Sequence, residues 1–263
     1  MSIYINSYDA ISEKNTPYQS QMHSHDFYEI YCFLEGDAEY CVEGRRYALH
    51  PGDMVLLRKG EVHKVALLSS RRYHRIGVHF DLGNASELPQ SEDLLTPFLN
   101  RPSGKFNHYP AAIFPDNHRI HYLQQIVKNE RQGIYYLLPL LCELTDAFPI
   151  LQRSELFAEK DTTAPIMKYI NQNLTEKLTL ENLSQKFHIS QTHLNRLFRQ
   201  SASTTVWEYI TIKRLFLAQE MLKKGQSPTT VYMHCGFQEY STFYRSYKRY
   251  FGISPSKQVK ASG

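Results

Sequence analysis

Two short helical periods joined by a tight connection, with the same arrangement recurring further along, constrain this chain more than any other feature. Leu180, Leu183 and Phe187 fall on one helical face, and Leu194, Leu197 and Phe198 fall on another, so two short helices bury these faces together. Between them His188, Ile189 and Ser190 leave room only for a turn. Ser190 is a good N-cap, because its hydroxyl can accept from a free amide of the next helix's first turn. In the second instance Pro228 can start a helix, Val231 and Cys235 face inward, and Gly236 can take a left-handed turn. Residues 238–252 (QEYSTFYRSYKRYFG) predict the exposed helix that follows. This punctuation is that of two helix-turn-helix units.

Between the units, Tyr209, Ile210, Ile212, Leu215, Leu217, Ala218, Met221 and Leu222 recur at helical spacing, and Gly225 ends the segment just beyond Lys223 and Lys224. One long helix would hold both units rigidly. With the inward faces assigned, Gln191, Thr192, Asn195, Arg196 and Arg199 face outward and offer amide, hydroxyl and guanidinium groups of the kind that read base edges. Charge points the same way. Residues 164–263 carry 14 Lys+Arg against 5 Asp+Glu, net +9, whereas residues 1–163 carry 16 against 21, net −5. A domain so basic suits a polyanion, since each cation placed on a phosphate releases condensed counterions.

Tyr209, Ile210, Arg214, Leu215 and Ala218, followed by Gly236, Phe237, Phe243, Arg245, Lys248, Phe251, Gly252, Ser254 and Pro255, resemble the pattern of the AraC/XylS family of bacterial regulators. The resemblance implies two recognition helices entering successive major-groove segments on one face of a double-stranded operator, about one helical turn apart. It assigns base reading to Gln191, Thr192, Asn195 and Arg196 in the first unit and to Glu239, Tyr240, Ser241 and Arg245 in the second, with Arg199 and Lys248 beside them. It also implies a homodimer and a contact with RNA polymerase. Three departures stand out: Tyr232 where a small residue is usual, Ser203 in place of a turn glycine, and residues 254–258 (SPSKQ) without the closing Tyr-Arg.

From Phe27 to Leu68, β-favouring runs alternate with Glu-Gly, Pro-Gly-Asp and Lys-Gly breaks, predicting short antiparallel strands in a small barrel. His23, His25, Glu29 and Gly36, then Gly52, Gly60 and His63, resemble the paired motifs of the cupin superfamily, although Arg58 and Leu67 replace a common proline and asparagine. Three readings follow. The resemblance implies a divalent metal on His23, His25, Glu29 and His63; the same residues with Tyr31 can line a metal-free effector pocket that requires no cofactor; or they simply pack the barrel. Tyr28, Tyr31, Tyr40 and Tyr47 can offer a sugar rings and hydroxyls, or fill ordinary strand positions.

Residues 85–115 are rich in Pro, Asn and Ser; Ile120, Leu123, Ile126 and Val127 then begin a helical pattern, and residues 135–148 continue it with Leu137, Leu138, Leu140, Leu141, Leu144 and Phe148. This apolar excess either covers the barrel or forms a dimer interface, and Pro139 argues against a regular coiled coil. The expected fold class is multidomain: a cupin-like antiparallel β-barrel (1–84), a helical interdomain or dimerisation segment (85–153), a linker (154–163) and an all-α domain with two helix-turn-helix units (164–263). No apolar run approaches the roughly 20 residues that span a bilayer, and the N-terminus lacks a secretory pattern. The expectation is a cytoplasmic regulator with no membrane partner, controlled by a small molecule. The alternative is a metal-dependent cupin enzyme with an appended nucleic-acid-binding domain.

Overall fold

A computed structural model describes residues 4–12, 22–69, 72–82, 91–155, 163–202 and 204–261, which belong to two compact units, residues 1–160 and 161–263. Most of the expected linker (residues 156–162) and Ser203 lie outside the described residues. The N-terminal unit contains β1 (Tyr4–Ser12), β2 (Tyr28–Glu35), β3 (Ala38–Val42), β4 (Arg45–Ala48), β5 (Met54–Leu57), β6 (His63–Leu67), β7 (Tyr73–Asp81) and β8 (His108–Tyr109). They form two antiparallel sheets, ordered β1-β7-β2-β5-β8 and β4-β3-β6.

Strand alternation sorts the side chains of the larger sheet onto two faces. Tyr31, Phe33, Val55, Leu57 and Tyr73 meet Ala38, Tyr40, Val42 and Val65 of the smaller sheet in one core. Ile30, Cys32, Met54, Leu56, Ile76, Val78 and Phe80 point the other way. The helical residues that follow, α1 (Ser91–Leu94), α2 (Thr96–Leu99), α3 (His118–Lys128) and α4 (Gly133–Glu155), contribute to that second core. Leu137, Leu140, Leu141 and Leu144 are fully buried there, each contributing about 1.5–3 kcal/mol. Covering the sheet therefore takes up most of the apolar face of α4.

Strand β8 returns to the larger sheet, pairing Tyr109 with Met54 and His108 with Val55, and the helical residues from 91 onward pack onto that sheet, which is the covering role, one of the two expected for this apolar excess. Helix α4 is, by length and composition alone, apolar enough to cross a membrane, but Glu143 and Asp146 interrupt its apolar run and its buried leucines face the sheet. The loop before β8 is held by a buried ion pair. Arg101 donates from both terminal nitrogens to Glu61 at 2.7 Å, and Glu61 also accepts from Gly104 N, Asn107 Nδ2 and Arg58 N. Arg58, the residue in place of the usual proline, donates to the Arg101 carbonyl and lies 3.5 Å from Glu61 Oε1.

The C-terminal unit contains α5 (Ala164–Gln172), α6 (Leu180–Phe187), α7 (Gln191–Ala202), α8 (Val206–Lys223), α9 (Pro228–His234), α10 (Tyr240–Phe251) and α11 (Pro255–Ala261). Hydroxyl caps open four of them: Thr179 for α6, Ser190 for α7, Thr205 for α8 and Ser227 for α9, each worth about 1 kcal/mol. The two turns are closed by different means. In the first, His188 adopts φ 54° and Ser184 Oγ donates to the Ile189 carbonyl at 2.6 Å. In the second, Gly236 adopts φ 81°, and a Cβ there would lie 2.8 Å from both Arg214 Nη2 and the Leu174 carbonyl. Arg214 is buried and donates to Leu174 O and Glu176 O, so this pair of family-pattern residues ties the α5–α6 loop to the second turn.

Helix α8 is shared by both helix-turn-helix units of this C-terminal unit. At its start Tyr209 donates to Asn171 and packs edge-on against Phe198 of α7. Further along, Leu215, Ala218 and Leu222 join Val231, Cys235, Phe243 and Tyr247 in the core of the second unit.

Candidate nucleic-acid interface and effector pocket

On α7, Leu194 and Phe198 are buried, which leaves Gln191, Thr192, Arg196 and Arg199 exposed on the opposite face. Asn195 departs from the expected role. It is half-buried, and its Oδ1 accepts from Val206 N at 3.4 Å at the entry to α8. On α10 the buried Phe243 and Tyr247 orient Ser241, Arg245 and Lys248 outward. Glu239 is exposed at the N-cap position, where Ser241 Oγ approaches its carboxylate at 3.5 Å. Tyr240 turns inward instead: its ring meets Tyr232 at 5.6 Å and Phe243 at 6.0 Å. The unusual Tyr232 is thus an aromatic prop that holds Tyr240 against the second unit. Sequence reasoning passed over Thr242 and Arg249, which are also exposed; their three- and four-residue spacing from Arg245 was the available signal.

In the N-terminal unit the space between the sheets gathers a polar cluster around Glu29. Tyr8 Oη donates to Glu29 Oε1 at 2.9 Å, His25 Nε2 lies 2.9 Å from Oε2, His79 Nε2 lies 3.5 Å from Oε1 and His63 Nε2 lies 3.6 Å from Oε2. The sheet register explains the convergence. Glu29 on β2 is directly opposite His79 on β7, and Tyr8 on β1 is opposite Gly77. A Cβ at Gly77 would lie 2.1 Å from the Tyr8 ring, so the glycine lets Tyr8 cross β7 and reach β2.

Tyr31 is buried, with its hydroxyl 2.7 Å from that of Tyr73 and its ring 4.6 Å from Tyr40. The Arg75 guanidinium sits over the rings of Tyr8 and Tyr73 at 5.0 and 5.6 Å, and its Nε is buried with no hydrogen-bond partner among the described residues. Two of the tyrosines considered for a sugar are otherwise engaged. Tyr28 lies on the opposite face, against Phe80 and Phe98, and Tyr47 donates to Gly104 O. Tyr8, Tyr73, Arg75 and His79 were missed; the alternation of Tyr73, Arg75, Gly77 and His79 along β7 was the signal for the last three.

Burial opposes charge on Glu29, yet hydrogen bonds with His25 and His79 hold its carboxyl well below the usual carboxylate range. Burial, followed by the neighbouring His23 and His25, pushes His63 well below the usual histidine range. Burial and the Glu29 carboxylate push the Tyr8 hydroxyl up. The donor set fits the divalent ion that the cupin resemblance implies: one ligand atom each from His25, Glu29 and His79 lie within 4.8 Å of one another, and His63 Nε2, 3.6 Å from Glu29 Oε2, is buried with no hydrogen-bond partner among the described residues. Neither His23 nor His63 is in that group of three. The His23 backbone bridges to His63, and the His23 ring lies 4.3 Å from that of His63.

Comparison with known proteins matches residues 8–125 to the AraC-like ligand binding domain and residues 183–261 to a helix-turn-helix domain. The Msm operon regulatory protein of Streptococcus mutans is 26% identical over 239 residues, covering 88% of this chain and 84% of that protein. The lactose operon transcription activator of Staphylococcus xylosus is 22% identical over 242 residues, covering 87% and 82% respectively. The multiple antibiotic resistance protein MarA of Salmonella typhimurium is 30% identical over 98 residues, 36% of this chain and 76% of that protein. With a matched ligand-binding domain ahead of two capped helix-turn-helix units, the chain belongs to the AraC/XylS family of transcriptional regulators.

Proposed function

We propose that this regulator reads a specific operator with both helix-turn-helix units and that a small molecule bound between the two sheets controls it. The observation that carries the first part is the exposed face of α7, where Gln191, Thr192, Arg196 and Arg199 stand together opposite a buried Leu194 and Phe198. Asn195 and Tyr240 contribute by positioning their helices, while Glu239, Ser241, Arg245 and Lys248 form the second, more weakly reading face. Arg245, Lys248 and the exposed Arg249 make that face strongly cationic, which favours phosphate contact.

His23, His25, Glu29, Tyr31 and His63, joined by Tyr8, Tyr73, Arg75 and His79, form the effector pocket. Hydroxyls, a carboxylate and a guanidinium in one interior suit a polyhydroxylated ligand such as a sugar, and one relative is named for a lactose operon. The effector acts by binding more tightly to one DNA-binding state than to the other, since coupling requires differential affinity. The protein works in the cytoplasm as a homodimer that contacts RNA polymerase. The exposed Tyr135 and Ile150 on α4, away from its buried face, support pairing of copies. In this reading the protein is not an enzyme; the competing cupin-enzyme reading draws on the same histidines and Glu29 and expects turnover without operator specificity.

Fluorescence anisotropy with the DNA upstream of the protein's own gene tests the reading. Binding should survive excess random DNA and weaken steeply with salt. If random DNA competes equally well, sequence-specific regulation is contradicted. Thermal shift against neutral sugars, sugar acids and simple carboxylates should stabilise the chain with one class, by an amount that rises with ligand concentration.

A further inference from the structure

We propose that the effector is a monoanionic hydroxy acid, a small polyol or sugar bearing one carboxylate, and that its carboxylate docks on the guanidinium of Arg75 in β7. This rests on the reading of the space between the sheets as the effector site and names the class of ligand it takes.

Arg46, Arg58, Arg72 and Arg101 each lie beside a carboxylate. Arg75 pairs with none among the described residues; the rings of Tyr8, Tyr73 and Tyr31 surround it at 5.0, 5.6 and 6.0 Å. Arginine is always charged in proteins, and its five N–H groups donate in the guanidinium plane. Ring faces attract the charge but take no in-plane N–H. Only Nη1 finds an acceptor among the described residues, Tyr73 Oη at 3.5 Å, and Nε is buried with none. A buried donor without an acceptor is costly, and Nε with Nη2 is an edge that a carboxylate meets with two parallel hydrogen bonds.

The neighbouring phenols add a donor. Tyr31 Oη and Tyr73 Oη lie 2.7 Å apart, and burial pushes both hydroxyls up, so both keep their protons. One proton serves the contact between them, which leaves the other for a ligand oxygen. The far end of the same space has the opposite sign. Arg75 and His79, the residue opposite Glu29, are four residues apart on β7, about 13 Å along the strand. The Glu29 carboxylate, already accepting from Tyr8, repels a second anion and accepts hydroxyl protons. One guanidinium and one carboxylate therefore suit a ligand with a single negative charge and hydroxyls away from it, and disfavour a phosphate or a diacid.

The test is calorimetry and melting curves of the full-length protein with matched neutral and acidic ligands, at concentrations up to about 10 mM. The pairs are glucose with glucuronate, galactose with galacturonate and sorbitol with gluconate. At least one acid should bind about tenfold or more tightly than its neutral partner. Arg75→Gln should weaken that acid by about tenfold or more, and Arg75→Lys should recover part of the loss, because it keeps the charge without the fork. Without ligand, Arg75→Gln should melt within about 4 °C of the wild type, since the guanidinium serves the ligand and not the fold. A larger fall would assign Arg75 to the fold and overturn the proposal, as would an acid that binds Arg75→Gln as tightly as the wild type. Neutral sugars binding as well as their acids would remove the acid class and leave the effector reading standing. Binding by no member of the panel would overturn the polyhydroxylated effector along with the acid.

Discussion

Replacing Arg101 by methionine is expected to lower the stability of the N-terminal unit by about 3–5 kcal/mol, the usual result of leaving a buried charge without its partner. Glu61 is 1% exposed, and its two oxygens receive both Arg101 terminal nitrogens at 2.7 Å. Arg101 also donates to the carbonyls of Pro97, Lys105 and Leu56, so its loss releases the loop that leads into β8 as well as the charge. The one tryptophan, Trp207, belongs to the C-terminal unit, which separates the two signals. In urea, the β-sheet circular dichroism transition should move down by on the order of 2 M, with the tryptophan transition unmoved. A circular dichroism midpoint that stays in place would contradict the structural role given to this pair.

The second large effect concerns the operator. Arg196→Ala and Arg245→Ala should each weaken operator binding by about 1–3 kcal/mol, and the double variant by about 2–6 kcal/mol, because the positions lie on separate recognition helices and should act additively. The two should differ in kind. Arg196 stands beside the amide of Gln191 and the hydroxyl of Thr192, so its loss should relax preference at one or two base pairs. Arg245 stands beside Lys248 and Arg249, and its loss should weaken all sequences alike and reduce the salt slope by about 1. Titrations of each variant against operator and base-substituted DNA at several salt concentrations make the distinction. Unchanged affinity and preference in both variants would contradict the interface.

The C-terminal unit was largely legible in the sequence because its signals are local. Ser190, Pro228 and Gly236 mark helix ends within one or two turns of the residues they serve, and apolar spacing alone places Leu194, Phe198, Phe243 and Tyr247 inward. The errors arose where a side chain found a distant partner. Asn195 is drawn toward Val206 N eleven residues away, and Tyr240 toward Tyr232, whose large ring fills the space a small residue would leave open.

The pocket was less legible for the same reason on a larger scale. The histidine motif located His25, Glu29 and His63, but which side chains surround Glu29 depends on β7 lying between β1 and β2. That pairing brings His79 from fifty residues away and allows Tyr8 to reach across Gly77. The extent of the barrel was obscured likewise, since a two-residue strand such as β8 has no periodicity to detect.

A hydroxyl-radical footprint of the full-length protein on its upstream DNA tests most directly whether both units read the operator from the shared helix α8. The expected result is two protected segments on one face of the duplex, about one helical turn or 10 base pairs apart, within each half-site. Arg245→Ala should thin the second segment and leave the first. A single protected segment per half-site, or protection that follows no fixed sequence, would contradict recognition by two units.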